Sequence, residues 1–346
     1  MVARRLSPER LASGLKQVGE GREIDWTGAT IPAARVAETI RSATGPNFTV
    51  TFRNARIDGD LQLDGMGDAG EPLRVQFLGC VIKGDFRARS ARWRHLVFAK
   101  CQLRCIDLPS NQFEGDLIVE LTQCTGWLEL RSSRIGRSLA LNGSHFTSGD
   151  RDAAVTIFDT VIGDNLSARD LRAFGSVKGR GLRVGSDILF DGAQIDGRGE
   201  DEPLALDLSR ASAVGRVRLC QGDSGRFMAW GRIQLNDAVI GQLDCKAALF
   251  DGDGQPALVG DHLEVRGHAD MSGLSEHGGS PFEAIGEVRL SAATILQQLQ
   301  IHDARFCGEG NALSMVGTRL GADVLIGHPT SKTEFVGTIY TNLHGS

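Results

Sequence analysis

From residue 204 to the C-terminus the chain repeats itself at long range, and few folds tolerate that. Leu204-Ala205-Leu206-Asp207-Leu208 follows an acidic, Gly-rich loop from Gly197 to Pro203, and Ala257-Leu258-Val259 follows Asp251-Gly252-Asp253-Gly254-Gln255-Pro256. Asn311-Ala312-Leu313 follows Gly308-Glu309-Gly310, and Phe227 to Leu235 aligns with Phe282 to Leu290. The offset is 54 or 55 residues, a period that marks a stacked repeat protein.

The long period divides into shorter units. Each has an aliphatic residue, a Gly or turn residue, and an alternating apolar strand: Ile57-Asp58-Gly59-Asp60-Leu61-Gln62-Leu63, Ile82-Lys83-Gly84-Asp85-Phe86, Phe113-Glu114-Gly115-Asp116-Leu117 and Ile135-Gly136-Arg137-Ser138-Leu139-Ala140-Leu141. Successive anchors lie roughly 20 to 27 residues apart, shorter than a βαβ unit of about 30 and without an amphipathic helix between them. Leu61 and Leu63, or Leu139 and Leu141, share one face of a strand of period two. The expected fold is all-β: a right-handed parallel β-helix, or solenoid, whose coils pair with those above and below and leave open edges only at the two ends. Residues 47–346 are expected to form about a dozen coils at about 4.8 Å each.

Residues 1–46 read as an N-terminal helical cap. Ser7-Pro8-Glu9 has an N-cap with proline at the first helical position, and Leu11, Leu15 and Val18 line one face. A second helix is expected from Pro32, with Val36 and Ile40 on its buried face, Ala33 and Ala37 keeping it compact, and Gly45-Pro46 ending it. Met1 to Leu11 has no apolar core of a secretory signal, and no run of about 18 apolar residues is present to cross a bilayer as a helix. A cytoplasmic location is the resulting expectation. The net charge of −5 does not by itself imply a nucleic-acid partner. The chain has 44 Gly, used as turn residues, and 7 Cys, an odd number without the spacing of a disulfide framework. Cys80, Cys101 and Cys124, about one coil apart, read as a ladder of buried thiols and not as metal ligands.

The N-terminal helical stretch, Asn54-Ala55-Arg56-Ile57-Asp58-Gly59-Asp60-Leu61-Gln62-Leu63 and Gly286-Glu287-Val288-Arg289-Leu290-Ser291-Ala292-Ala293-Thr294-Ile295 together resemble bacterial β-helical repeat proteins often labelled "membrane-associated oxidoreductase". That resemblance runs from about residue 24 onward. Pentapeptide-repeat proteins are similar at a greater distance. The resemblance implies a β-helix. The residues carry no dinucleotide fingerprint, because Gly179, Gly181 and Gly185 miss the G-x-G-x-x-G spacing by one and lie within the β-repeat. No cofactor and no metal are expected.

Three constellations could carry function. Asp60, Asp85 and Asp116 each follow a Gly and could form an acidic column, either as acid, base or Ca²⁺ ligands or as turn caps; Ser138 and Asn165 at equivalent positions favour caps. Arg87, Arg89, Arg92 and Arg94 form a basic stretch, with Arg87 and Arg89 on one outward face, where an anionic partner could dock. His268, Asp270 and His277 lie in Gly267 to Ser280, which reads as a binding loop leaving the coil stack.

The expected function is a non-catalytic, rigid scaffold that presents a surface and loops to a macromolecular partner. The alternative is an enzyme acting on a carbohydrate or small molecule, with carboxylates along a groove of the β-helix. Because Thr333 to Tyr340 occupies the position of Pro281 to Val288, the sequence stops partway through a repeat. Either the chain is part of a longer protein, or two copies meet as a homodimer through the C-terminal coil.

Overall fold

A computed structural model of the chain describes residues 15–18, 21–25, 28–43, 48–67, 71–199, 202–274, 279–327 and 332–345. They form a parallel β-solenoid of about twelve turns with one short helix near the N-terminus. Short strands recur in a fixed order around each coil and pair in parallel with the strand at the same place one coil on, giving four columns. Face 1 contains Leu117–Glu120, Leu139–Ala140 and Leu166–Ser167; face 2 contains Gln123–Cys124, His145–Thr147 and Arg172–Phe174. Face 3 contains Leu128–Glu129, Ala153–Thr156 and Ser176–Lys178; face 4 contains Arg134–Ile135, Val161–Ile162 and Arg183–Val184. The 54- or 55-residue offset seen in the sequence is two coils: Leu258 pairs with Val288, and Val288 with Leu313.

Alternation with a period of two sends one side chain of each strand inward. Leu117, Leu139, Leu166 and Ile188 stack on face 1, and Phe113, Ile135, Ile162 and Val184 on face 4, all within 3% of full burial. Each aliphatic side chain removed from water is worth about 1.5–3 kcal/mol. The two ends of the rod are packed with aromatics: Phe52, Phe77 and Phe98 stack at centroid distances of 5.1 and 5.2 Å. The series Phe227, Phe250, Phe282, Phe306 and Phe335 runs at 5.1–5.9 Å near the other end.

In most coils two of the four corners turn through a single, mostly non-glycine, residue with left-handed backbone. Between faces 1 and 2 these are Asn54, Lys100, Leu121, Asp170, Ala247 and Asp303, with Gly79, Gly143 and Gly192 taking the place in other coils. Between faces 3 and 4 they are Ser90, Ser110, Ser132, Asp159, Arg210, Asp237, His262 and Ala292. The residue after each turns back inward, and where it is polar it joins a ladder. At the 1–2 corner the Cys101 thiol donates to Phe77 O at 3.2 Å, the Thr122 hydroxyl to Phe98 O at 3.2 Å and the Ser144 hydroxyl to Val119 O at 2.8 Å. At the 3–4 corner buried Asn111 donates to Ala88 O at 2.6 Å and accepts from Trp93 Nε1 at 2.9 Å. Every group in these ladders is satisfied inside an apolar tube, where an orphan would cost about 1–3 kcal/mol.

The thiol ladder is shorter than the sequence suggested. Cys80 and Cys101 share a column, but Cys124 pairs with Leu103 and belongs to the face 2 strand two positions later. The number of residues per corner differs between coils, so equal spacing does not guarantee equal register. All seven cysteines are free.

At the N-terminus the first helical expectation meets a correction. Its residues up to 14 lie outside the described ones, and Leu15–Val18 is a strand antiparallel to Gly21–Asp25, which in turn pairs in parallel with Thr49–Arg53. The ladder therefore extends upstream of residue 47, and the strand's backbone is satisfied by sheet pairing. The second helix forms as expected. Helix α1 (Ala33–Arg41) starts at Pro32, which occupies the N-cap with extended backbone, and Ala33, Val36, Ala37 and Ile40 are buried. Arg41 Nη2 donates to Gln62 O at 2.9 Å, tying the helix to the first coil. Gly45-Pro46 lies outside the described residues. Among those described, no helix is long and apolar enough to cross a membrane.

Candidate ligand groove

The corner carboxylates are occupied in holding coils together. Asp60 and Asp85 share the 2–3 corner, and Asp60 Oδ1 accepts the Asp85 N–H at 2.9 Å. Asp116 sits instead at the 4–1 corner, where it accepts the Ser138 N–H at 3.1 Å. The same ladder continues as the Ser138 hydroxyl accepts from Asn165 N, Asn165 Oδ1 from Asp187 N at 3.0 Å and Asp187 Oδ1 from Arg216 N at 2.8 Å. The three aspartates thus do not form one column, and the capping role applies at both corners. Asp85 is 1% exposed and is clamped by Arg104 at 2.6 and 2.7 Å and by Arg87 at 2.6 Å. Burial alone would raise its pKa, but the Arg104 and Arg87 hydrogen bonds and charges outweigh it and hold the carboxyl below its ordinary value.

The basic stretch divides around a corner. Arg87 and Arg89 project from face 3, while Arg92 and Arg94 flank the inward Trp93 on face 4. Arg89 lies 3.5 Å from Asp107 and Arg94 3.4 Å from Glu114, so three of the four arginines face a carboxylate. Of the polar loop residues, His268 is half-buried at the 4–1 corner, and Asp270 is buried on face 1, held by Lys246 at 3.1 Å and by the Ser272 hydroxyl. His277 lies outside the described residues. Gly267 to Gly273 is not part of a loop: Ala269–Asp270 pairs with Leu243–Asp244 below and Leu299–Gln300 above, Ser272 O accepts from Ala247 N and Gly273 N donates to His302 O, and the chain leaves the stack only after Gly273. Among the described residues no group of three His, Cys, Asp or Glu could hold a metal ion.

A groove of about 880 Å³ opens at the 2–3 corner across four successive coils. Its basic residues come from different places in those coils: Arg151 from the turn 148–152, Lys178 from the end of a face 3 strand, Arg198 from the loop after Gln194–Asp196, and Arg232 from the start of strand Arg232–Gln234. Two arginines are laid on tryptophans, Arg151 on Trp127 at 4.7 Å and Arg198 on Trp230 at 5.5 Å. Asp196 grips Arg198 at 2.7 and 2.9 Å, which lowers the Asp196 pKa. Glu202 meets Arg232 at 3.3 Å. Arg232 is 18% exposed, and its Nε is buried without a hydrogen-bond partner. Phe174, 53% exposed, supplies an apolar wall.

Sequence reasoning did not find this groove. Its four basic residues are 20 to 81 positions apart and meet only because loops at one corner stack. The available signal was the pair Trp127 and Trp230, large rings at outward corner positions of a chain with 4 Trp.

The fold places the chain in the class of parallel β-solenoids. Compared with protein-family models, curated proteins and solved structures, it matches none.

Proposed function

We propose that this chain is a non-catalytic scaffold, a rigid rod that presents its outer faces and loops to macromolecular partners, including a second copy of itself. One observation carries the reading: apolar surface gathers at the last coil. Among the described residues eleven large apolar side chains are well exposed, and Val316, Leu325, Ile326, Val336, Ile339 and Tyr340 all belong to the closing turns. Strand Glu334–Gly345 pairs with Ala304–Leu320 on one side, and no described strand covers its other edge. From Val336 to Asn342 this edge has no charged residue to discourage pairing.

The corner carboxylates support the scaffold reading over the enzyme alternative, because they cap backbone groups and pair with arginines. The free thiols are in keeping with a cytoplasmic location.

The test is light scattering on the 346-residue chain at several concentrations. The expected mass is twice 37.1 kDa, falling to the monomer when Val336 and Ile339 become Lys. A parent chain that stays monomeric at high concentration overturns the self-association.

A further inference from the structure

We infer that the groove at the 2–3 corner receives an extended acidic segment of a partner protein, with an apolar side chain of that segment against Phe174. The inference rests on the scaffold reading and supplies the chemistry of its partner.

Arg151 has its guanidinium on the Trp127 ring and makes no ion pair with any described residue. Stacking leaves the planar edge of a guanidinium available to a carboxylate, which it can bind through two parallel bonds. Because the ring already restricts the side chain, less rotamer entropy is lost on binding. Arg232 lines the same groove as a second guanidinium, 18% exposed, with Nη2 3.3 Å from the exposed rim carboxylate Glu202, so an incoming carboxylate competes only with a solvated partner there. Arg198 is held from two sides, by Trp230 and Asp196, and forms a fixed wall.

Shape then selects the ligand. The groove crosses coils about 4.8 Å apart, so it is an elongated trough open to solvent. Phe174 protrudes into it beside Arg151 and Arg198, which matches a chain that alternates acidic and apolar side chains. Aromatic and arginine anchors of this kind dominate protein–protein contacts. Asp152 and Glu202 on the rim would repel a uniform polyanion, favouring a segment whose charges are spaced.

The test uses fluorescence anisotropy of a labelled Glu-Leu-Glu-Phe-Glu-Leu-Glu peptide with the intact chain, and a Lys-Leu-Lys-Phe-Lys-Leu-Lys peptide and polyphosphate as competitors. The acidic peptide should bind, and Arg151→Gln and Arg232→Gln should each weaken it at least tenfold. Arg134→Gln on face 4 should leave it unchanged. Circular dichroism and melting identify any variant that fails to fold; if Arg232→Gln does, the exposed Arg151→Gln decides alone. Absence of binding, indifference to Arg151→Gln, or equal competition by the lysine peptide overturns the inference. Polyphosphate competing as well as the acidic peptide also overturns it, in favour of a general anion site. The dimer measurement addresses the scaffold reading separately, so failure of one is distinguishable from failure of the other.

Discussion

Replacing Leu139 by Asp tests the inward columns most directly. Leu139 is fully buried and paired through its strand with Leu117 below and Leu166 above, both also fully buried. Loss of a buried Leu side chain costs about 2–5 kcal/mol, and a carboxylate without a partner in its place adds several more. The sum is of the order of the whole stability of an ordinary domain, about 5–15 kcal/mol. Gln62→Asp, on an outward position of strand Leu61–Gln62, should fall within about 0.5 kcal/mol of the parent. The assay is urea unfolding by circular dichroism at pH 7 and pH 4. Burial raises the folded-state pKa of the new carboxyl above its unfolded value of about 3.9, so the ionic penalty is complete above the folded value. It should diminish as pH falls through that value, leaving the cavity cost. Equal midpoints for the two variants at pH 7 would refute the assignment of inward and outward positions.

Two further outcomes follow from the polar contacts. The Asp85 pKa is lowered, so the clamp from Arg104 and Arg87 contributes stability above the unfolded value of about 3.9 and loses it as pH falls through the folded value. Asp85→Asn should therefore flatten the acid limb of a stability–pH curve, and Arg104→Ala should cost about 1.5–3 kcal/mol at pH 7 by urea midpoint; an unchanged acid limb would show that the clamp is not coupled to folding. Asn111→Leu removes the acceptor of Trp93 Nε1 and should cost about 1–3 kcal/mol by thermal unfolding, and a neutral result would mean that the ladder has other ways to be satisfied.

The solenoid was legible because two signals are local. Alternation in Leu139-Ala140-Leu141 and the Gly-containing turns before each strand report strand faces and coil ends directly. Helix α1 was legible for the same reason, since Pro32 and the spacing of Val36 and Ile40 lie within one short element. What failed was whatever depended on counting residues between coils. Asp116 follows Gly just as Asp60 and Asp85 do, yet it stands at a different corner, because two corners of one coil can share a local sequence. Leu15–Val18 forms a strand although its apolar spacing suits a helix, since pairing with Gly21–Asp25 is a tertiary event. The groove was illegible for a related reason: Arg151 and Arg232 are neighbours only through stacked loops whose lengths vary from coil to coil.

The corners that turn through left-handed backbone have a practical consequence. At the 3–4 corner that conformation is held by Ser132, Asp159, Arg210, Asp237, His262 and Ala292 alike, side chains with almost nothing in common. A non-Gly residue there carries roughly 1–2 kcal/mol of backbone strain, which the hydrogen bonds of the flanking coils hold in place. The corner's geometry is thus separable from its chemistry. A row of such positions, one per coil, is a set of regularly spaced attachment points where a fluorophore, a charge or a short recognition tag could be exchanged at one step of the ladder without disturbing the next.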